Sequence, residues 1–263
     1  MKRQYRLANA ALLGLSLALA NHSALAAPGI HVGASVSQST LHVIDLTPGD
    51  GAAAGYTISS ASSSVMSGID APAAPWTQRN DAQSRLEPIA VTTSYAGSTA
   101  VSSADKFGET RTDVRLDDSV GTRGYANGDV RQIMSLTVAP RTQLIYTGYG
   151  EVSMSDAAQY GGAAFFGNAV ATVTFGDQVW ANGMMQDAMG HTDSGVRGEG
   201  FYLSFYNNTD TEKYTSVTLN ILTRATFIAA APVPEPATYA MFGLGTLMVG
   251  AMARRQRRRQ RAA

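Results

Sequence analysis

The chain has 263 residues and a mass of 27.6 kDa, with 20 basic residues, 20 acidic residues and no cysteine. Nine basic residues lie near the two ends; without them and Glu235, the chain keeps 11 basic residues against 19 acidic ones, a net charge of −8. Such an acidic body excludes nucleic acid binding, which needs a basic face against the phosphates. The lack of cysteine excludes a disulfide framework, a thiolate metal site and a cysteine nucleophile.

Residues 1–26 have the three parts of a secretory signal peptide. An apolar run of 14 residues covers 7–20, and Ala24 and Ala26 are the small residues that signal peptidase recognises, so cleavage is predicted before Ala27. A membrane-spanning helix needs about 17–25 apolar residues, more than this run has. We therefore predict export through the Sec pathway and removal of the segment. The positive region that precedes the apolar run holds three basic residues: Lys2, Arg3 and Arg6.

Residues 27–231 are predicted to form one all-β domain. This segment is rich in Ser, Thr and Gly, and apolar residues alternate with polar ones in the pattern of half-buried strands. We predict a single β-sandwich of jelly-roll-like type, built from short antiparallel strands. The alternation is clearest in five segments: 134–138, 144–146, 171–175, 201–205 and 217–221.

Several segments between these strands predict turns or loops. Residues 139–142 indicate a turn, and 207–210 indicate a hairpin between two strands. The serine run 59–64 is of low complexity, and 71–75 indicates an irregular loop. Gly, Asp and Met mix without a clear period over 176–200, which predicts a long loop there.

The sequence contains no recognisable catalytic motif. His31, His42 and His191 lack metal-ligand spacing, and no serine lies in a Gly-x-Ser-x-Gly elbow. Residues 103–106 match Ser-x-x-Lys, but its partner motifs are missing and the match falls in a predicted polar loop. We therefore expect a protein that is not an enzyme and holds no cofactor.

Three carboxylates are candidates for a metal site. Asp117, Asp118 and Asp129 supply hard oxygen atoms of the kind that Ca²⁺ binds. Aspartate is also common in turns because its side chain caps the local backbone. No EF-hand spacing is present, so the expectation is no metal, with these three residues as the Ca²⁺ alternative.

Aromatic residues are candidates for a sugar-binding face, because a ring offers a flat apolar surface to sugar C–H groups. Packing in the core or across strands would account for most of them. An exposed row of two or three rings would indicate carbohydrate binding, whereas a cleft with two carboxylates about 5–10 Å apart would indicate a hydrolase. The candidates are Tyr146, Tyr149, Tyr160, Trp180, Tyr202 and Tyr206.

The C-terminal segment predicts a single membrane crossing. Residues 230–236 are rich in proline, which disfavours helix and sheet. The uncharged segment 237–253 has 17 residues, and a helix of that length spans about 26 Å, enough for a thin bilayer. Arginines beside an apolar span stay in the cytoplasm, so the body is predicted to lie outside. Six arginines follow within 254–261: Arg254, Arg255, Arg257, Arg258, Arg259 and Arg261.

Taken in order, the Val-Pro-Glu-Pro motif, the apolar span and the arginine cluster within 233–261 resemble the PEP-CTERM sorting signal of Gram-negative bacteria. The resemblance covers the predicted sorting segment, 232–263. It implies recognition by an exosortase, a membrane-embedded transpeptidase-like protease, with processing near Pro234, Glu235 and Pro236. It also implies that the precursor is held transiently in the inner membrane before the protein reaches the cell surface or the extracellular matrix.

Three functional hypotheses follow for the body. The first is an exported, non-enzymatic surface or matrix protein that contributes to exopolysaccharide or biofilm association. The second is a carbohydrate-binding module of the matrix, and the third is a secreted hydrolase with a site built from distant loops. The expected partners are signal peptidase, exosortase and extracellular polysaccharide, and not nucleic acid.

Overall fold

The structure is a computed structural model that describes five segments: 29–72, 74–83, 86–155, 164–187 and 192–229. These segments contain twelve β-strands, one 3₁₀ helix over Asp118–Val120 and no α-helix. The strands are β1 (Gly29–Asp45), β2 (Tyr56–Ala71), β3 (Ala74–Gln83), β4 (Ile89–Tyr95), β5 (Ser98–Lys106), β6 (Glu109–Asp117), β7 (Arg123–Val138), β8 (Thr142–Met154), β9 (Ala164–Phe175), β10 (Gln178–Gln186), β11 (Gly195–Asn207) and β12 (Lys213–Ile228).

The strands form two six-stranded antiparallel sheets that pack as a sandwich. Sheet 1 has the strand order β11-β8-β1-β6-β5-β4, and sheet 2 has the order β10-β9-β12-β7-β2-β3. The predicted β-sandwich is confirmed. All five segments with clear alternation lie in strands, and the predicted turn separates β7 from β8.

Alternate residues of the central strands fill the space between the sheets. In β9, every second residue from Phe165 to Phe175 is buried, as expected for a strand with one face on the core. Part of the core is an aromatic cluster, with the ring of Tyr146 5.5 Å from that of Phe201 between centroids. Elsewhere the core also contains paired hydroxyl groups, such as Thr112 and Thr223 at 2.5 Å.

The predicted hairpin over 207–210 is wrong. The strands on either side, β11 and β12, belong to different sheets, so the segment crosses the sandwich. Asn207 holds the crossing in place, because its fully buried amide lies 2.8–3.1 Å from three backbone carbonyl oxygens: those of Val138, Ala139 and Thr211.

Three segments for which no strand was predicted lie wholly or partly in strands. The serine run 59–64 lies inside β2, where Ser63 is buried and accepts a hydrogen bond from Gln132. Residues 103–106 lie in β5 rather than in a loop, and the predicted loop 176–200 contains β10 and the start of β11. β10 is an edge strand with few buried side chains, so its apolar alternation is weak.

Within the described segments, no helix is long and apolar enough to cross a membrane. The predicted signal peptide 1–26, the apolar segment 237–253 and the arginine cluster 254–261 lie outside the described residues, as do Tyr160 and His191.

Candidate functional site

Three tyrosines lie on the outer face of sheet 1. In β11, Phe201 and Leu203 point into the core, so the alternation of a strand turns Tyr202 and Tyr206 outwards. Tyr202 is 62% exposed and Tyr206 is 48% exposed, and Tyr149 of β8 is 36% exposed on the same face. We call these three side chains the tyrosine row.

The strand register sets the spacing of the tyrosine row. Tyr149 pairs with Gly200, two residues before Tyr202, so Tyr149 and Tyr202 are diagonal neighbours on adjacent strands. Tyr206 lies about 13 Å further along β11, at roughly 3.3 Å per residue. The row therefore follows the strand direction.

Glycine makes room for the first ring of the row. A Cβ atom built on Gly198 would collide with the hydroxyl and the ring of Tyr149. The ring therefore lies over the backbone of β11, and Tyr149 stays 36% exposed. This arrangement gives the edge of sheet 1 a flat aromatic surface.

A polar hollow of about 150 Å³ lies on the same face. Tyr149, Glu151 and Ser153 are successive outward residues of β8, so the hollow continues the tyrosine row. Gly33 keeps the hollow open, because a Cβ atom at this position would lie 2.6 Å from the hydroxyl oxygen of Ser153. The polar lining consists of His31, Ser35, Arg111, Asp113, Glu151 and Ser153.

Asp113 is the best-connected charge in the hollow. Its Oδ1 lies 2.9 Å from Nε2 of His31, and its Oδ2 accepts a hydrogen bond of 3.2 Å from Arg111. The hydrogen bond with Asp113 raises the pKa of His31, and the same bond lowers the pKa of Asp113. Asp113 is therefore a fixed carboxylate rather than a protonated general acid.

The comparisons with known proteins concern the other end of the chain. Residues 232–259 match the family model of the PEP-CTERM protein-sorting motif. The chain carries a PEP-CTERM sorting signal. The predicted resemblance is confirmed, and the motif implies export, processing by an exosortase and sorting to the cell surface. No curated protein and no solved structure matches the chain.

Two of the aromatic candidates in the body of this PEP-CTERM substrate lie in or against the core. Tyr146 is 1% exposed, and burial raises the pKa of its hydroxyl. Trp180 packs on Phe201 with 5.3 Å between ring centroids and donates a hydrogen bond of 3.0 Å to Glu199. The packing explanation accounts for these two residues but not for the tyrosine row.

The calcium alternative gains no support from the described residues. Asp117 accepts a hydrogen bond of 2.9 Å from the backbone N–H of Ser119 and caps the 3₁₀ helix. Burial raises the pKa of Asp118 and that of Asp129, and Asp129 lies in the opposite sheet. Within the described segments, no group of three or more acidic or histidine side chains is placed to hold a metal ion.

The sequence interpretation named the tyrosine row but missed the polar hollow. Its residues come from β1, β6 and β8, which the fold brings together from distant parts of the chain. One signal was available: Arg111, Asp113 and Arg115 alternate with buried residues in β6, which places three charges on one outer face. His42 is exposed on β1, apart from the hollow.

Proposed function

We propose that this PEP-CTERM protein is a non-enzymatic component of the cell surface or extracellular matrix, and that its sandwich binds exopolysaccharide on the outer face of sheet 1. The tyrosine row is the observation that carries the proposal. Three exposed rings on one face, continuous with a polar hollow, combine an apolar surface for sugar rings with groups for their hydroxyls.

Electrostatics favour binding over hydrolysis at this face. A hydrolytic site needs one protonated carboxyl group beside a second carboxylate. The two acidic residues of the hollow are Asp113 and Glu151, on strands separated by β1. Asp113 is held ionised by His31 and Arg111, so it serves as a fixed hydrogen-bond acceptor.

Binding is tested with protein purified from its host and with oligosaccharides prepared from the host's own exopolysaccharide. Tyr202→Ala should weaken binding about tenfold, which corresponds to about 1.4 kcal/mol. Tyr214→Ala is the matched control, because Tyr214 is 77% exposed on the outer face of sheet 2. Equal binding by wild type and Tyr202→Ala would overturn the proposal. New reducing ends in the mixture would instead identify a hydrolase.

Delivery is tested by the intact mass of the protein from the cell envelope and from the medium. We expect a species that begins near Ala27 and ends near Pro234–Pro236 at the surface or in the medium. The rigid Pro-Glu-Pro segment cannot join a helix, so it stays accessible to the processing enzyme. Full-length tail found only in the inner membrane would contradict processing by an exosortase.

A further inference from the structure

The outer face of sheet 2 carries a second set of aromatic residues. The register aligns Phe166 of β9, Thr226 of β12, Tyr125 of β7 and Asp70 of β2 in one line across the strands. Trp76 of β3 extends this line, with its ring 5.9 Å from that of Tyr125 between centroids. We call Phe166, Tyr125 and Trp76 the aromatic row. Trp76 is 44% exposed.

Side-chain amides lie beside the aromatic row. Arg224 pairs with Asn127 on one side and with Asn168 on the other, two residues along the strands from the row. The side-chain oxygens of Asn127 and Asn168 are both buried without a hydrogen-bond partner. Asn127 is only 6% exposed. A buried acceptor without a donor is destabilising, so a ligand that donates hydrogen bonds to these two oxygens would bind favourably here.

A hollow of about 300 Å³ lies between the rings of Tyr125 and Phe166 and the amide of Asn168. Its lining includes Tyr125, Phe166, Asn168 and Arg224, together with the carboxylate of Asp187. The acceptors need hydroxyl or amine donors, the rings need an apolar partner, and the guanidinium group of Arg224 donates to oxygen acceptors. A sugar ring supplies all three, because it has C–H faces together with hydroxyl groups that both donate and accept.

The spacing of the row suits an extended glycan. Phe166 and Tyr125 are two strands apart, which corresponds to roughly 10 Å at the usual strand separation. This distance is close to the length of a disaccharide. A polysaccharide chain running across the strands would therefore meet Phe166 and Tyr125 two sugars apart, and Trp76, with its ring 5.9 Å from that of Tyr125, would contact the same or the next sugar.

We infer that the outer face of sheet 2 is a second glycan-binding site, so that one molecule holds two polysaccharide chains on opposite faces and cross-links the matrix. The second site stands on its own observations, whereas cross-linking also rests on the function proposed for sheet 1. Linking two sites in one molecule raises avidity for a polymer without any further contact.

The test is titration of the host-purified protein with oligosaccharides from the host's exopolysaccharide, together with turbidity of the intact polymer. Trp76→Ala should reduce the stoichiometry from about two oligosaccharides to about one and abolish the turbidity. Arg224→Ala should do the same, Trp76→Phe should restore part of the lost binding, and Tyr214→Ala should change neither readout. A thermal melt verifies that each variant is folded.

The two proposals fail in different ways. Unchanged stoichiometry in both Trp76→Ala and Arg224→Ala would overturn the second site, while loss of binding in Tyr202→Ala would still support the first. If Tyr202→Ala binds like wild type and Trp76→Ala loses all binding, the function proposed for sheet 1 is wrong, the second site stands and cross-linking is overturned. Absence of any binding by the wild type would overturn both.

Discussion

The two outer faces of the sandwich carry aromatic side chains in different directions. On sheet 1, the tyrosine row follows β11 and its neighbour β8 along the strand direction. On sheet 2, the aromatic row crosses the strands and takes one residue each from β9, β7 and β3. A row along a strand depends on alternation within one segment, whereas a row across strands depends on the register between segments.

The faces also differ in how their polar groups are satisfied. On sheet 1, both oxygens of Asp113 have a partner in the absence of a ligand, which leaves the hollow preorganised. On sheet 2, Asn127 and Asn168 keep unpaired oxygens. Preorganised groups lose little conformational entropy on binding, whereas an unpaired acceptor gains a hydrogen bond. We therefore expect the proposed glycan ligand to stabilise the sheet 2 face more than the sheet 1 face.

The largest expected effect is on the free energy of unfolding, at a buried residue of the core that supports both faces. Gln132 of β7 is 1% exposed, donates hydrogen bonds of 3.1 Å to Ser63 and to the carbonyl oxygen of Lys106, and accepts one of 2.9 Å from Gly108. It ties sheet 2 to the β5–β6 turn of sheet 1. Gln132→Leu should lower the free energy of unfolding by about 3 kcal/mol, because buried polar groups lose their partners.

Denaturant unfolding measures this loss, and Asn220→Leu is the control because Asn220 is exposed on the outer face of β12. The destabilised variant should weaken binding at both faces together, unlike Tyr202→Ala or Trp76→Ala. Full stability in Gln132→Leu would show that the two sheets do not depend on this contact. Loss at one face alone would show that the faces are supported separately.

The difference between a row along one strand and a row across several strands explains which strands and aromatic residues could be predicted from the sequence. Alternation identified the strands around Phe175, Phe201 and Leu219 because each has a buried face of its own. It also placed Tyr202 and Tyr206 among the candidates. Trp76 was not among them, because its strand begins in a segment rich in Ala and Pro that favours a loop interpretation.

The sequence did not identify the residues that become neighbours only through strand pairing. Asn127 and Asn168 are 41 positions apart in the chain, yet both adjoin Arg224 in the sheet. No local pattern encodes that contact, since register depends on which strands pair and where. The hairpin expected at 207–210 failed for the same reason, because a turn composition does not specify whether the next strand stays in the same sheet.

The smallest effect concerns pH and the hollow of sheet 1. The hydrogen bond with Asp113 raises the pKa of His31 above its usual value of 6.5. A raised pKa in the folded state means that the contribution of the pair is fully present below about pH 6.5 and is lost as the pH rises through the raised value. At the acid end, the lowered pKa of Asp113 keeps the carboxylate charged below its usual value of 3.8.

His31 has 46% of its side chain exposed, so solvent screens the pair and a few tenths of a kcal/mol is the expected size. We therefore expect His31→Gln to be less stable than wild type at about pH 5.5 and equal to it at about pH 9, measured by denaturant unfolding. His42→Gln is the matched control, because His42 lies exposed on the same strand. A gap that widens with rising pH would contradict the assigned sign, because the charge-assisted form of the bond to Asp113 exists only while the imidazole is protonated.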